Sequence, residues 1–165
     1  MTIRSIRPCL TFAERAEEAI DFYVSLFEKS RVIDKVRSEG GPVPKGQLLH
    51  AIFVLDGQEY TAIDGGPSFN FTDGFSLVAS CETQAEIDRL WEALTSAGGE
   101  PGRCGWLKDC FGVSWQVIPI QLGELLTNPE GGDTQAAMEA MLKMNKLDIA
   151  ALERAYRGTP AGAGR

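Results

Sequence analysis

Few of the 165 residues carry side chains of the kind that do chemistry. His50 is the one histidine, and the cysteines are Cys9, Cys81, Cys104 and Cys110. A thiolate beside an imidazole makes a nucleophile with its base, so Cys9 with His50 is a candidate pair, although nothing in their spacing demands it. A lone histidine is more often a hydrogen-bonded structural residue. The cysteines fall in no C-x-x-C spacing, which argues against a zinc knuckle or a thioredoxin-like motif. In a reducing compartment they are expected to be free and mostly buried thiols, with Cys104 and Cys110 the two that could meet across a hairpin. Glu14, Glu17 and Glu18 read as the solvated face of a helix, not as a paired acid and base. Met138, Met141 and Met144 form a stripe at i, i+3 spacing, the pattern of core or interface packing and less often of a flexible lid.

The totals bound what such residues can serve. At this length the chain is read as one domain, able to bury roughly 70% of the surface of its unfolded form without staples. The net charge is −7 with no basic block, so phosphate backbones and anionic membranes are repelled and neither nucleic acid nor membrane is an expected partner. Met1-Thr2-Ile3-Arg4 lacks the apolar run of a signal peptide and no stretch approaches ~20 apolar residues. The expected location is the cytoplasm.

The elements that must position the candidates follow from periodicity. Residues 6–12 alternate and predict a strand, and residues 16–27 carry Ala16, Ile20, Tyr23, Val24 and Phe27 at helical spacing. Residues 31–36 predict a strand, 48–55 another, and Asp56-Gly57 a two-residue hairpin turn into residues 59–63. This is a βαβββ unit. The order then repeats: a strand over 75–81, a helix over 84–97 ended by Gly98-Gly99, short strands near 102–106 and 107–110, and a strand over 113–118 ended by Pro119. At an offset of 67 residues Cys9 falls on Ser76, Leu10 on Leu77, Ile20-Asp21 on Ile87-Asp88 and Phe27 on Leu94. After Pro119, Asp133 or Thr134 can cap a helix running to Met144, and Asp148 another running to Tyr156. The expected class is α+β: two βαβββ units, 1–66 and 67–120, forming a curled, cup-like mixed sheet with outer helices. A C-terminal helical extension (121–158) of the same domain and a disordered tail (159–165) complete the expectation.

Several segments together carry a resemblance. They are Pro8-Cys9-Leu10, Ala16-Glu17-Glu18-Ala19-Ile20-Asp21-Phe22-Tyr23, Leu55-Asp56-Gly57-Gln58 with Gly65-Gly66-Pro67, and above all the run over 104–119 that holds Trp106 and Trp115. This sequence resembles the PhnB-like family, labelled 3-demethylubiquinone-9 3-methyltransferase, of the vicinal-oxygen-chelate (glyoxalase/bleomycin resistance) superfamily. Lys146-Leu147-Asp148-Ile149-Ala150-Ala151-Leu152 also looks like that family's C-terminal helix, so the resemblance extends over residues 4–158. The family commonly has Trp where Thr11 stands and His where Ser68 stands. The methyltransferase label is not supported by the residues: Asp64-Gly65-Gly66-Pro67 is the one candidate cofactor turn, no helix pattern follows it, and the sheet is built from hairpins rather than a doubly wound parallel sheet.

The resemblance also places the superfamily's metal ligands, usually His and Glu. The first falls on Pro8 or Cys9; strand alternation favours Cys9, because Pro8 on that face would drive Arg7 and Thr11 into the helix-packed core. The others fall on Ser76, on Gln116 and near Ala62, the last to within a residue of register. A thiol, an alanine, a hydroxyl and a neutral amide suit a hard cation poorly, so no metal and no cofactor are expected. Trp115, of opposite parity to Gln116, should pack under a helix, and Trp106 is expected to border the cup. The resulting expectation is a small-molecule-binding protein whose cup is lined by Cys9, Thr11, His50, Ser76, Trp106 and Gln116. Two alternatives stand beside it: an enzyme, either a metal-dependent lyase or dioxygenase or a metal-free Cys9–His50 catalyst, and a dimeric interaction protein with a vestigial cup. A homodimer with its C-terminal helices at the interface or over the cup is expected: the resemblance implies pairing of units between chains, which covers sheet edges, and Met138, Met141, Met144, Leu147, Leu152 and Tyr156 are too apolar to face water.

Overall fold

The computed structural model describes residues 6–158; the tail expected at 159–165 lies outside them. The chain divides into two units, residues 1–71 and 72–165. Unit 1 runs β1 (Cys9–Phe12), α1 (Ala16–Leu26), β2 (Arg31–Arg37), β3 (Leu48–Leu55) and β4 (Gln58–Asp64). Its sheet has the order β1-β4-β3-β2, with β1 parallel to β4 and the other pairs antiparallel. Unit 2 repeats the plan with β5 (Leu77–Cys81), α2 (Gln84–Thr95), β6 (Glu100–Pro101), β7 (Trp106–Lys108) and β8 (Ser114–Pro119), in the order β5-β8-β7-β6. It continues into α3 (Leu122–Thr127), α4 (Thr134–Met141) and α5 (Ile149–Arg157). The class is α+β, two open four-stranded mixed sheets with helices.

Local chemistry explains the element ends. Asp56 and Gly57 both take positive φ, the geometry a two-residue turn needs to follow the strand twist. Thr83 and Glu86 form a reciprocal capping box at the start of α2. Helix α1 has no side-chain cap of its own; the Ala16 N–H instead donates to Asp64 Oδ1 at 2.8 Å, so the end of β4 fixes the start of the helix. Asp133, not Thr134, caps α4, and Asp148 caps α5. Lys35 bridges Glu17 and Asp21 of α1, and Arg37 also pairs with Glu17. Hydrogen bonds from Arg37 and Lys35 hold the Glu17 carboxyl below its usual range.

Alternation divides each sheet into a buried face and an open one. In unit 1, Leu10, Phe12, Ala51, Phe53 and Ala62 are buried, as are Ala16, Ala19, Ile20 and Tyr23 of α1. In unit 2, Leu77, Ala79, Cys81, Leu107, Trp115 and Val117 are buried, along with Ile87, Leu90 and Leu94 of α2.

Four expectations are corrected. The short strands of unit 2 lie at Glu100–Pro101 and Trp106–Lys108, because residues 102–105 are spent on a tight turn in which Cys104 and Gly105 take positive φ and the Gly102 N–H donates to the Trp106 carbonyl. That shift puts Cys104 before β7 and Cys110 after it, so the two do not face each other across a hairpin, and neither is in a disulfide. Of the four thiols only Cys81 is buried, and Cys9 is exposed. The apolar C-terminal residues also find partners inside unit 2: Leu147 and Leu152 are wholly buried with Leu125, Ala137 and Tyr156, and Met141 and Met144 pack against them. Most of the surface expected to seek a second chain is therefore covered by the chain itself. Helix α3 contributes to this cluster and was not anticipated; its six residues are too short for a periodic signal.

Candidate functional site

The six expected residues divide evenly between the units. In unit 1, Cys9 is level with Thr61 and Thr11 with Ile63 across the parallel β1–β4 pair. Level residues share a face, so Cys9, Thr11, Thr61 and Ile63 lie on the open side, opposite buried Leu10 and Ala62. Arg7 has the same parity as Cys9 and pairs with Glu59 at 3.2 Å. The side of β1 expected from alternation is thus the one observed.

Of the residues within one step of Ala62, it is Ile63 that stands on the open face. Ala62 itself is level with Leu10 and Ala51 and is fully buried on the helix side. Unit 2 supplies the register: Val78 is level with Gln116, and Val78 stands 67 residues after Thr11, which is level with Ile63. Ile63 is therefore the counterpart of Gln116, and it has no donor atom at all.

His50 is half-buried and shares the open face with Ile52 by alternation. It does not meet Cys9. Strand β4 lies between their strands, and Cys9 is level through Thr61 with Ile52, two residues beyond His50. With strands about 4.8 Å apart and about 3.3 Å per residue, their backbones are roughly 12 Å apart. The Cys9 thiol contacts the Thr11 hydroxyl at 3.9 Å, and no hydrogen bond joins it to His50.

Unit 2 assembles more. The Gln116 side-chain amide donates to Ser76 Oγ at 2.9 Å. Gln116 is level with Trp106 on one side and Val78 on the other, so the three form a row across β7, β8 and β5. Trp106 is 37% exposed and Val78 54% exposed, whereas Trp115 is buried on the opposite face, the division its parity implied. Beyond this row Lys108 is level with Ser114 and pairs with Asp73 at 2.9 Å, and the Lys108 ammonium holds the Asp73 carboxyl below its usual range. Val78 and the Lys108–Asp73 pair were missed in the sequence; the 67-residue offset from Thr11 was the signal that could have found Val78.

The turn before Trp106 is braced from outside the sheet. Cys104 N–H donates to the Met144 carbonyl and Gly105 N–H to that of Asn145, each at 2.8 Å. A Cβ on Gly105 would stand 2.7 Å from the Val117 carbonyl oxygen, so only glycine fits. Segment 144–145, between α4 and α5, thus holds the start of β7.

The superfamily's divalent ion does not fit these residues. Ile63 offers no ligand, and the Ser76 hydroxyl and Gln116 amide are bonded to each other. Among the described residues no group of three or more His, Cys, Asp and Glu side chains could hold an ion. Burial pushes the Cys81 thiol up to about 11, which leaves it unsuited to nucleophilic work at neutral pH.

The sequence profile of the family described as 3-demethylubiquinone-9 3-methyltransferase matches residues 4–118. The chain belongs to this PhnB-like family. The match ends before α3, so the likeness read in residues 146–152 is not carried by it. The PhnB protein of Bacillus cereus is 38% identical over 70% of this chain and 99% of its own, with a TM-score of 0.66. Protein PA1353 of Pseudomonas aeruginosa is 26% identical over 69% of this chain and 96% of its own, with a TM-score of 0.58. The fosfomycin resistance protein FosX of Listeria monocytogenes, at 13% identity and a TM-score of 0.50 over 75% of this chain and 98% of its own, shares the fold. No curated protein matches the chain. Among the described residues of this PhnB-like protein no helix is long and apolar enough to cross a membrane.

Proposed function

We propose that this PhnB-like chain is a cytoplasmic, homodimeric protein that binds a small organic molecule without a metal ion. Its contacts are the open sheet faces, with Cys9, Thr11 and His50 in unit 1 and Ser76, Trp106 and Gln116 in unit 2. One observation carries the reading: an exposed indole and an exposed valine flank a hydrogen-bonded amide–hydroxyl pair on a sheet face. Apolar surface left open around a few placed polar groups is the usual make-up of a ligand site. Catalysis by a Cys9–His50 pair is disfavoured by the strand between them. Methyl transfer, which the family description names, lacks its cofactor turn: residues 65–76 after β4 contain no helix, and β4 ends a hairpin.

Native mass spectrometry on untagged protein tests the reading. The expected result is an organic adduct carried through purification, no stoichiometric zinc, manganese or iron by elemental analysis, and no calorimetric response to S-adenosylmethionine. A stoichiometric metal lost on Gln116→Ala, or micromolar binding of S-adenosylmethionine, would overturn it.

A further inference from the structure

The unit 2 face specifies more than a binding surface. With Gln116 Nε2 donating to Ser76 Oγ, the Gln116 Oε1 remains an acceptor, and the second amide hydrogen and the Ser76 hydroxyl hydrogen remain donors. The row therefore offers a donor and an acceptor side by side. Trp106 and Val78 bound this pair on the neighbouring strands, their backbones about 10 Å apart with Gln116 between them, so a ring laid over the row can touch the indole and the amide together. The charges next to the row do not call for an ionic ligand. Lys108 is already bound to Asp73, and Glu100 is level with Lys108 on β6, so an anion arriving there meets two carboxylates around one occupied ammonium. A cation gains little, because that ammonium lies between the two acids.

We propose that the unit 2 face takes a flat, uncharged ring bearing a donor beside an acceptor, an aryl carboxamide or lactam. The ring lies against Trp106 and its amide edge pairs with Gln116 and Ser76. This rests on the ligand-binding reading above and assigns it a chemical class.

Three isosteres separate the possibilities: benzamide (neutral), benzoate (anionic) and benzamidine (cationic), each titrated into the full-length protein and followed by 1H–15N spectra. Benzamide is expected to shift the Trp106 indole and Gln116 side-chain signals and to bind at least about tenfold more tightly than either ion. Gln116→Leu should weaken benzamide about tenfold, the size of a lost hydrogen bond, and leave benzoate unchanged. Trp106→Ala, an exposed position that keeps the fold, should weaken benzamide by about threefold to tenfold. Benzoate or benzamidine binding as tightly as benzamide, or benzamide binding unmoved by both substitutions, would overturn the assignment. If benzamide leaves this face untouched while purified protein still carries an organic adduct, the chemical class fails and the binding function stands. If no adduct is found and no probe binds, both fail.

Discussion

Asp109 is 3% exposed, and its carboxylate organises the turn that leads into β8. Its Oδ1 accepts from the N–H groups of Phe111 and Val113 at 2.9 and 3.0 Å, and its Oδ2 accepts from the Trp115 indole N–H at 2.8 Å. Removing the acid would strand buried donors, which costs more than the hydrogen bonds are worth in net terms. Asp109→Ala is therefore expected to lower the unfolding free energy by about 3 kcal/mol in urea titrations, and Asp109→Asn, which keeps one acceptor oxygen, by less. Equal stability of Asp109→Ala and the parent would refute this account. Periodicity assigned Trp115 to the buried face but was blind to Asp109, whose role arises only once a turn folds its carboxylate back onto the chain. The same limit applied to Ser76 and Gln116. The resemblance points to both positions, yet the bond between them depends on β5 and β8 lying side by side. The position near Ala62 is legible only to within a residue, and in a strand that single step moves a side chain to the other face.

At the scale of elements, α1, β3, the Asp56-Gly57 turn and α2 were legible because amphipathic spacing and turn chemistry agree there. Strands β6 and β7 were not, since a two-residue and a three-residue strand are held by partners and not by their own pattern. The C-terminal helices were anticipated, but their destination was not. They pack as a satellite core whose linker ties down the turn before Trp106. Leu147 follows that linker and is fully buried, within 3.3 Å of where a Cβ on Gly105 would sit. Leu147→Ala should cost about 3 kcal/mol, in the ordinary range for a buried leucine. It should also move the Trp106 indole signal in the folded protein, because it loosens the brace on β7. A destabilised variant with an unshifted Trp106 would mean that the extension stabilises the unit without setting the site.

Over the whole molecule, the packing of Met141 and Met144 onto the chain's own C-terminal cluster weakens one motive for dimerisation and leaves another. Among the described residues strand β2 pairs with β3 alone, and Ile33 and Val36 on it are 44% and 45% exposed. This open edge carries Val32, Ile33 and Val36 among the charged Arg31, Asp34, Lys35 and Arg37, and it is a surface that a second chain can cover. Light scattering at micromolar concentration is expected to give twice the chain mass, and Ile33→Lys with Val36→Lys to halve it. A monomeric parent would end the dimer proposal, and a dimer indifferent to both lysines would place its interface away from β2. The parallel pairing of the first and last strands in each unit has a consequence for how the chain is made. Cys9 must wait for Thr61, and Leu77 for Trp115, so each sheet closes across a long stretch of chain, the kind of contact that slows folding. A nascent chain released to residue 57 has β1 with no partner strand at all. One released to residue 71 already holds every strand pairing of its first sheet, before any strand of the second has left the ribosome.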